Sequence, residues 1–192
     1  DVVFHGTTSG YDLTWDYSDN SLKFADNVRV KIGAGDDLQL FHNGSHSFIQ
    51  NHTGEFRILG NQLRLKNKDN DETYISCDDN GAVELYHNNI RKLETYGSGI
   101  IVYGPEGQDG LLNLYADEGD DNADKWRLQA DTNGSFYLKN YASGSWETNI
   151  VAAGNGSVQL FHDYNLKLNT RTDGVKITGG TDISMNSSGT GQ

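Results

Sequence analysis

One cysteine, one proline and one methionine occur in 192 residues, and lysine and arginine together number only 15. The lone Cys77 rules out an intrachain disulfide and a thiol redox pair. Basic residues stand singly and the net charge is -12, which excludes the basic stripe that nucleic acid requires and disfavours anionic membranes. Long apolar runs are missing too: none approaches the ~20 residues of a membrane-spanning helix, so membrane insertion is not expected. No signal-peptide pattern opens the chain, which begins with Asp1 and so reads as a piece of something longer or processed. No window carries a 3.6-residue apolar stripe, and no G-x-S-x-G, P-loop or H-E-x-x-H pattern is found. The chain is therefore not expected to be an enzyme or to hold a cofactor.

What is present is alternation. "VRVKI", "LRLK", "FYLK", "LKLN" and "VKIT" are short runs in which every second residue is apolar, the signature of strands with one buried face. Between them stand Asn43-Gly44, Asn80-Gly81, Asn133-Gly134, Asn155-Gly156, Asp109-Gly110 and Asp173-Gly174, pairs that tolerate the positive φ of tight hairpins. The fold class is all-β, with about twenty short strands expected at this run length.

The strands repeat. Residues 72–104 align with 147–179 without a gap at thirteen identities, among them Ile75/Ile150, Leu85/Leu160, His87/His162, Leu93/Leu168, Thr95/Thr170 and Gly104/Gly179. Upstream, "FRI" at Phe56 echoes "WRL" at Trp126, "LRLKN" at Leu63 echoes "FYLKN" at Phe136, and "LQLF" at Leu38 echoes "LNLY" at Leu112. This predicts a partial module over 1–37, module A over 38–104, a junction over 105–111 around Pro105, module B over 112–179, and a tail or the start of a further module over 180–192. Serial repetition of one supersecondary unit predicts an elongated β-rod, of β-meander, triple β-helix or β-prism type.

Three copies of one phrase, "LQLFH", "VELYH" and "VQLFH", place Leu40 and His42, Leu85 and His87, and Leu160 and His162 on one strand face. His42, His87 and His162 follow the apolar row up to a turn. They read as strand-end residues bonded to turn backbone, or as rings lining a seam between chains that could hold water, an anion or a metal. Phe41, Tyr86, Tyr115 and Phe161 occupy the opposite face among Gln, Glu and Asn; they are either packing residues or rings on which a glycan stacks.

Only 35% of the chain is hydrophobic and its mean hydropathy is -0.66, too lean for a self-sufficient core without disulfides, metal or partners. Three identical chains around one axis would bring each apolar row against two others and hide the sheet edges. Cys77, in phase with Ile75 and matched by Ala152, fits such a seam as a small apolar residue. On this reading Leu85→Asp damages assembly more than Glu84→Lys.

The string "WDYSDNSLKFADNVRVKIGAGDDLQLFHNGSHSFI" closely resembles the repetitive fibre-like proteins of tailed bacteriophages, particularly marine ones, and "NGAVELYHNNIRKLET" resembles their companion phrase. The resemblance covers residues 13–104 closely and the second module loosely, with "YADEGDDNADKWRLQADTNGSFYLKN" departing most. It implies a homotrimeric virion appendage that faces the exterior, joins other virion proteins and supports host attachment. Contact with host surface polysaccharide along the rod is the alternative, and a fibre-borne glycan hydrolase, which would need two carboxylates a few ångströms apart, the third.

Two metal patterns remain. His42 and His46 have helical ligand spacing but lie in the turn "HNGSH", so the spacing carries no geometry. Asp117, Glu118, Asp120, Asp121 and Asp124 could gather around calcium or form a solvated loop, and they lack the ligand order of an EF-hand.

Overall fold

A computed structural model describes residues 1–179, so the expectation for 180–192 lies outside the described residues. The chain is all-β and divides into two units, residues 1–59 and 60–192. Among the described residues every pairing is antiparallel and joins strands adjacent in sequence, with breaks between Phe24 and Val30, Asn51 and Gln62, and Val102 and Gly110. Such ladders need only short hairpins, which is what the turn-rich sequence supplies.

In the first unit, β1 (Val2–Phe4), β2 (Leu13–Asp16) and β3 (Ser21–Phe24) form one sheet, and β4 (Val30–Ile32), β5 (Leu38–His42) and β6 (Ser47–Asn51) another. In the second unit, β7 (Gln62–Lys66), β8 (Thr73–Asp78), β9 (Val83–His87), β10 (Ile90–Tyr96) and β11 (Gly99–Val102) make a five-stranded sheet. A seven-stranded sheet follows, from β12 (Gly110–Tyr115) through β13 (Lys125–Ala130), β14 (Ser135–Asn140), β15 (Glu147–Ala153), β16 (Val158–His162) and β17 (Asn165–Arg171) to β18 (Gly174–Ile177). These are eighteen strands among the described residues, in sheets that do not close.

The repeat seen in the sequence recurs in hydrogen bonds. The bounds of β9, β10 and β11 reappear in β16, β17 and β18 at the sequence offset. Thr95 Oγ1 accepts the Val83 N–H at 2.8 Å, and Thr170 Oγ1 accepts the Val158 N–H at 2.9 Å. Both hairpins carry a bulge: Tyr86 faces Arg91 while Leu85 faces Leu93, as Phe161 faces Leu166 while Leu160 faces Leu168. Strict alternation would put Arg91 and Leu93 on one face. The extra residue, Lys92 or Lys167, reverses that parity, sending Arg91 to the polar face and Leu93 to the apolar one.

The tight turns at these hairpins are Asn88-Asn89 and Asp163-Tyr164, with both residues of each pair at positive φ. The Asn-Gly pairs behave differently. At Asn80-Gly81 and Asn155-Gly156 it is the asparagine that takes positive φ, while the glycine is needed for space: a Cβ on Gly81 would lie 2.9 Å from that of Asp78.

Cross-strand register lines the apolar residues into ladders. Leu65, Ile75, Leu85, Leu93 and Val102 cross the five-stranded sheet. Leu112, Leu128, Leu138, Ile150, Leu160, Leu168 and Ile177 cross all seven strands of the other. Among the described residues no second layer covers them: Leu112 is 42% exposed, Leu160 38% and Ile177 47%, while Leu128, Leu138, Ile150 and Leu168 are half-buried. No apolar side chain is buried among the described residues; the buried ones are polar, Gln39 at 7%, Ser76 at 3% and Gln129 at 9%. Gln39 and Gln129 lie along their own polar face, bonded to Arg29 and Asp109, and the short Ser76 stands between Arg64 and Glu84, whereas the apolar side chains stand upright with no second layer above among the described residues. Cys77, half-buried, stands between Leu63 and Val83 on the apolar face.

Candidate functional site

Each sheet has two faces of opposite chemistry. On the polar face of β7–β11, Arg64 Nη2 reaches Asp78 Oδ1 at 2.8 Å. Beside that pair, the Tyr86 hydroxyl donates to Glu84 Oε2 at 2.7 Å and Arg91 Nη1 to Glu84 Oε1 at 2.6 Å. Arg91 also pairs with Glu94 at 2.8 Å and lies 4.3 Å over the Tyr103 ring, while the Tyr103 hydroxyl donates to Glu94. The parity reversal at Lys92 is what brings Arg91 to this face, and alternation alone could not have found it.

The Tyr86 hydroxyl, and after it the Arg91 guanidinium, hold the Glu84 carboxyl below the usual carboxylate range. The same bond raises Tyr86, and the bond to Glu94 raises Tyr103. A lowered carboxyl contributes stability that is present above its unfolded value and is lost as pH falls through the folded one. A raised phenol contributes fully below its unfolded value near 10 and loses this as pH climbs through the folded one. Unfolding followed against pH should therefore show a plateau that declines at both ends. In Glu84→Gln the acid slope attributable to Glu84 should flatten and the Tyr86 phenol should titrate earlier in an ultraviolet pH titration. An unchanged Tyr86 titration would show that Glu84 is not its partner.

The four aromatic candidates divide. Phe41 is half-buried, stacked on Phe48 with ring centroids 4.7 Å apart, and Arg29 covers it at 4.0 Å. Tyr86 belongs to the network above. Phe161 is half-buried in the ladder position opposite Leu166. Tyr115 is the most exposed of the four, 51% exposed on β12 at the edge of its sheet, with Gly119 against one side of its ring.

The three histidines stand exposed at strand ends, on the apolar side of their strands. His42 Nδ1 lies 3.1 Å from Ser47 Oγ, and His162 Nδ1 lies 3.7 Å from the Asp163 carboxylate; His87 faces Ile90 across its hairpin. His46 packs edge-on to Phe48, on the opposite face from His42.

The acidic loop also divides. Carboxylate oxygens of Asp120, Asp121 and Asp124 lie within 4.8 Å of one another, without Asp117 or Glu118. Their convergence has a local cause: Asp121 and Asp124 form a reciprocal cap around the short turn Asn122–Asp124, with the Asp121 N–H donating to Asp124 Oδ2 at 3.3 Å. Such a cap gathers oxygens with or without a cation.

Compared with protein-family models, with curated proteins and with solved structures, the chain matches none.

Proposed function

We propose that three copies of this chain join through their apolar sheet faces to form a fibre segment, a non-enzymatic shaft of a phage tail appendage that projects from the virion and supports host attachment. The observation that carries this reading is the uncovered seven-strand ladder from Leu112 to Ile177. A sheet with one apolar face is stable only when something apolar lies on that face. A second copy supplies a matching face at no cost in new sequence, and three around an axis let each ladder meet two others. The repeat supports the same reading: modules with the same bulge and the same threonine bond present the same ladder at regular intervals, as a shaft of constant cross-section requires. The resemblance to phage fibre repeats supplies the setting, the virion exterior beside other virion proteins.

The deciding measurement is mass in solution by light scattering or sedimentation, together with migration in SDS without boiling. The expected mass is close to three times the 21.2 kDa of one chain, with a slow band that boiling removes. A stable, compact monomer would overturn the proposal.

A further inference from the structure

Module B departs from module A on its polar face, and the departure is one of charge. In β7–β11, Arg64 and Arg91 have carboxylate partners, while Lys66 and Lys92 form no ion pair among the described residues. Among the described residues of β12–β18, none of Lys125, Arg127, Lys139, Lys167, Arg171 and Lys176 forms an ion pair. In a chain of net charge -12, unpaired cations on one sheet are not explained by a shortage of carboxylates.

Three of these cations are neighbours. Arg127 faces Asn113 on β12 and Lys139 on β14, and Lys125, two residues back on the same face, faces Tyr115. Tyr141 follows β14 and donates its N–H to the Lys125 carbonyl at 3.0 Å. Like charges directly opposite, as Arg127 and Lys139 are, destabilise a ladder; each is turned onto a ring here, Arg127 onto Trp146 and Lys139 Nζ to 4.7 Å from the Tyr137 centroid. Beside them is an aromatic platform. Arg127 Cζ sits 3.9 Å from the Trp146 ring centroid, Lys125 Nζ 5.8 Å from that of Tyr141, and the two rings meet at 5.1 Å. Asn113 Oδ1 accepts from Arg127 Nε at 2.8 Å, which fixes the guanidinium plane and leaves its Nη groups without a hydrogen bond among the described residues.

We propose that this surface, formed by Tyr115, Lys125, Arg127, Lys139, Tyr141 and Trp146, binds an acidic saccharide. The carboxylate of a uronate-type sugar lies between Arg127 and the two lysines, and the sugar ring rests against Tyr115. A guanidinium held in one plane suits a carboxylate's two oxygens. The Tyr115 ring, 51% exposed, suits the C–H face of a pyranose, and the Nδ2 of Asn113, on the same sheet face, suits a hydroxyl. The site lies on the polar face and does not depend on the trimer.

The test uses the full chain, with nuclear magnetic resonance of the Trp146 indole and Arg127 Nε–H groups as the reporter during titration at low salt. The probes are a hexauronate, a neutral glucose hexamer, hexaglutamate and sodium sulfate. Expected are saturable shifts with the hexauronate alone, weakened about tenfold by Arg127→Gln and by Tyr115→Ala, and weakened further by added salt. Secondary structure and mass of both variants are checked in parallel. Equal binding of the neutral hexamer would overturn the role of charge. Equal binding of hexaglutamate or sulfate would overturn the saccharide, leaving a plain anion site. An unchanged affinity in a folded Arg127→Gln variant would overturn the site itself.

Discussion

Leu160→Asp is expected to convert the assembled protein to single chains while leaving its β-sheet circular dichroism nearly intact. Leu160 stands in the middle of the seven-strand ladder, between Ile150 and Leu168. In one isolated chain it is 38% exposed, so an aspartate there keeps its water and should cost no more than about 1 kcal/mol, mainly through poorer strand propensity. In a shared seam the same carboxylate is dehydrated and repeated by symmetry in each copy. An unpaired buried charge costs about 3–5 kcal/mol, and three such charges near one axis also repel. The ratio between the two costs makes the experiment decisive. Gln159→Glu, one residue away on the polar face, is the control and should retain the full mass. Glu84→Lys is a poorer control than the sequence suggests, because it would place a second cation against Arg91. If Leu160→Asp keeps its mass, the apolar face is not the seam.

Strand identity was readable because alternation and turn chemistry agree wherever a hairpin is short. The phrases "LQLFH", "VELYH" and "VQLFH" coincide with β5, β9 and β16. Four features were not readable, each for a local reason. The bulges at Lys92 and Lys167 change which face a side chain takes, and a bulge needs no special residue that would announce it. The echo between "FRI" and "WRL" does not extend to structure: Trp126–Leu128 lies in β13, paired with β12, while residues 56–58 lie in no strand. The counterpart of β12 in the first module is β5, and both its edges are already taken, by β4 and β6; a strand without a free edge to pair with does not form. Of the candidate aromatics, Phe41 and Tyr86 could not be told from Tyr115 by sequence, since exposure is set by what crosses above the ring, here Arg29 and the Glu84 network. The cations of β13 and β14 were overlooked because they are scattered in sequence and meet only through register.

Gly104→Ala should be the most damaging single-methyl change in the second unit. Gly104 lies where the chain leaves β11 and turns toward β12, and a Cβ there would stand 2.4 Å from the carbonyl oxygens of both Gln108 and Asp109. These are backbone atoms and cannot swing aside. The turn that carries them is closed by the Gln108 N–H bonding to the Pro105 carbonyl at 2.9 Å, Pro105 has a fixed φ, and β12 begins at Gly110. Relief therefore requires moving the first strand of the seven-stranded sheet, a strain of roughly 3 kcal/mol on the scale of overpacked sites, or about 5–10 °C in melting temperature for a chain of this size. Gly107→Ala in the same loop is the comparison. It has positive φ but nothing within 4 Å of the added methyl, so its cost is conformational only, about 1 kcal/mol. Melts of equal temperature for the two variants would mean that the turn gives way and does not hold the two sheets in register. The glycine aligned with Gly104, Gly179, meets a different demand: its φ is +82° and its Cβ would have room. One conserved spacing within the repeat thus serves close approach at the end of the first module and backbone geometry at the end of the second, and only the first should fail when a methyl is added without a change of backbone.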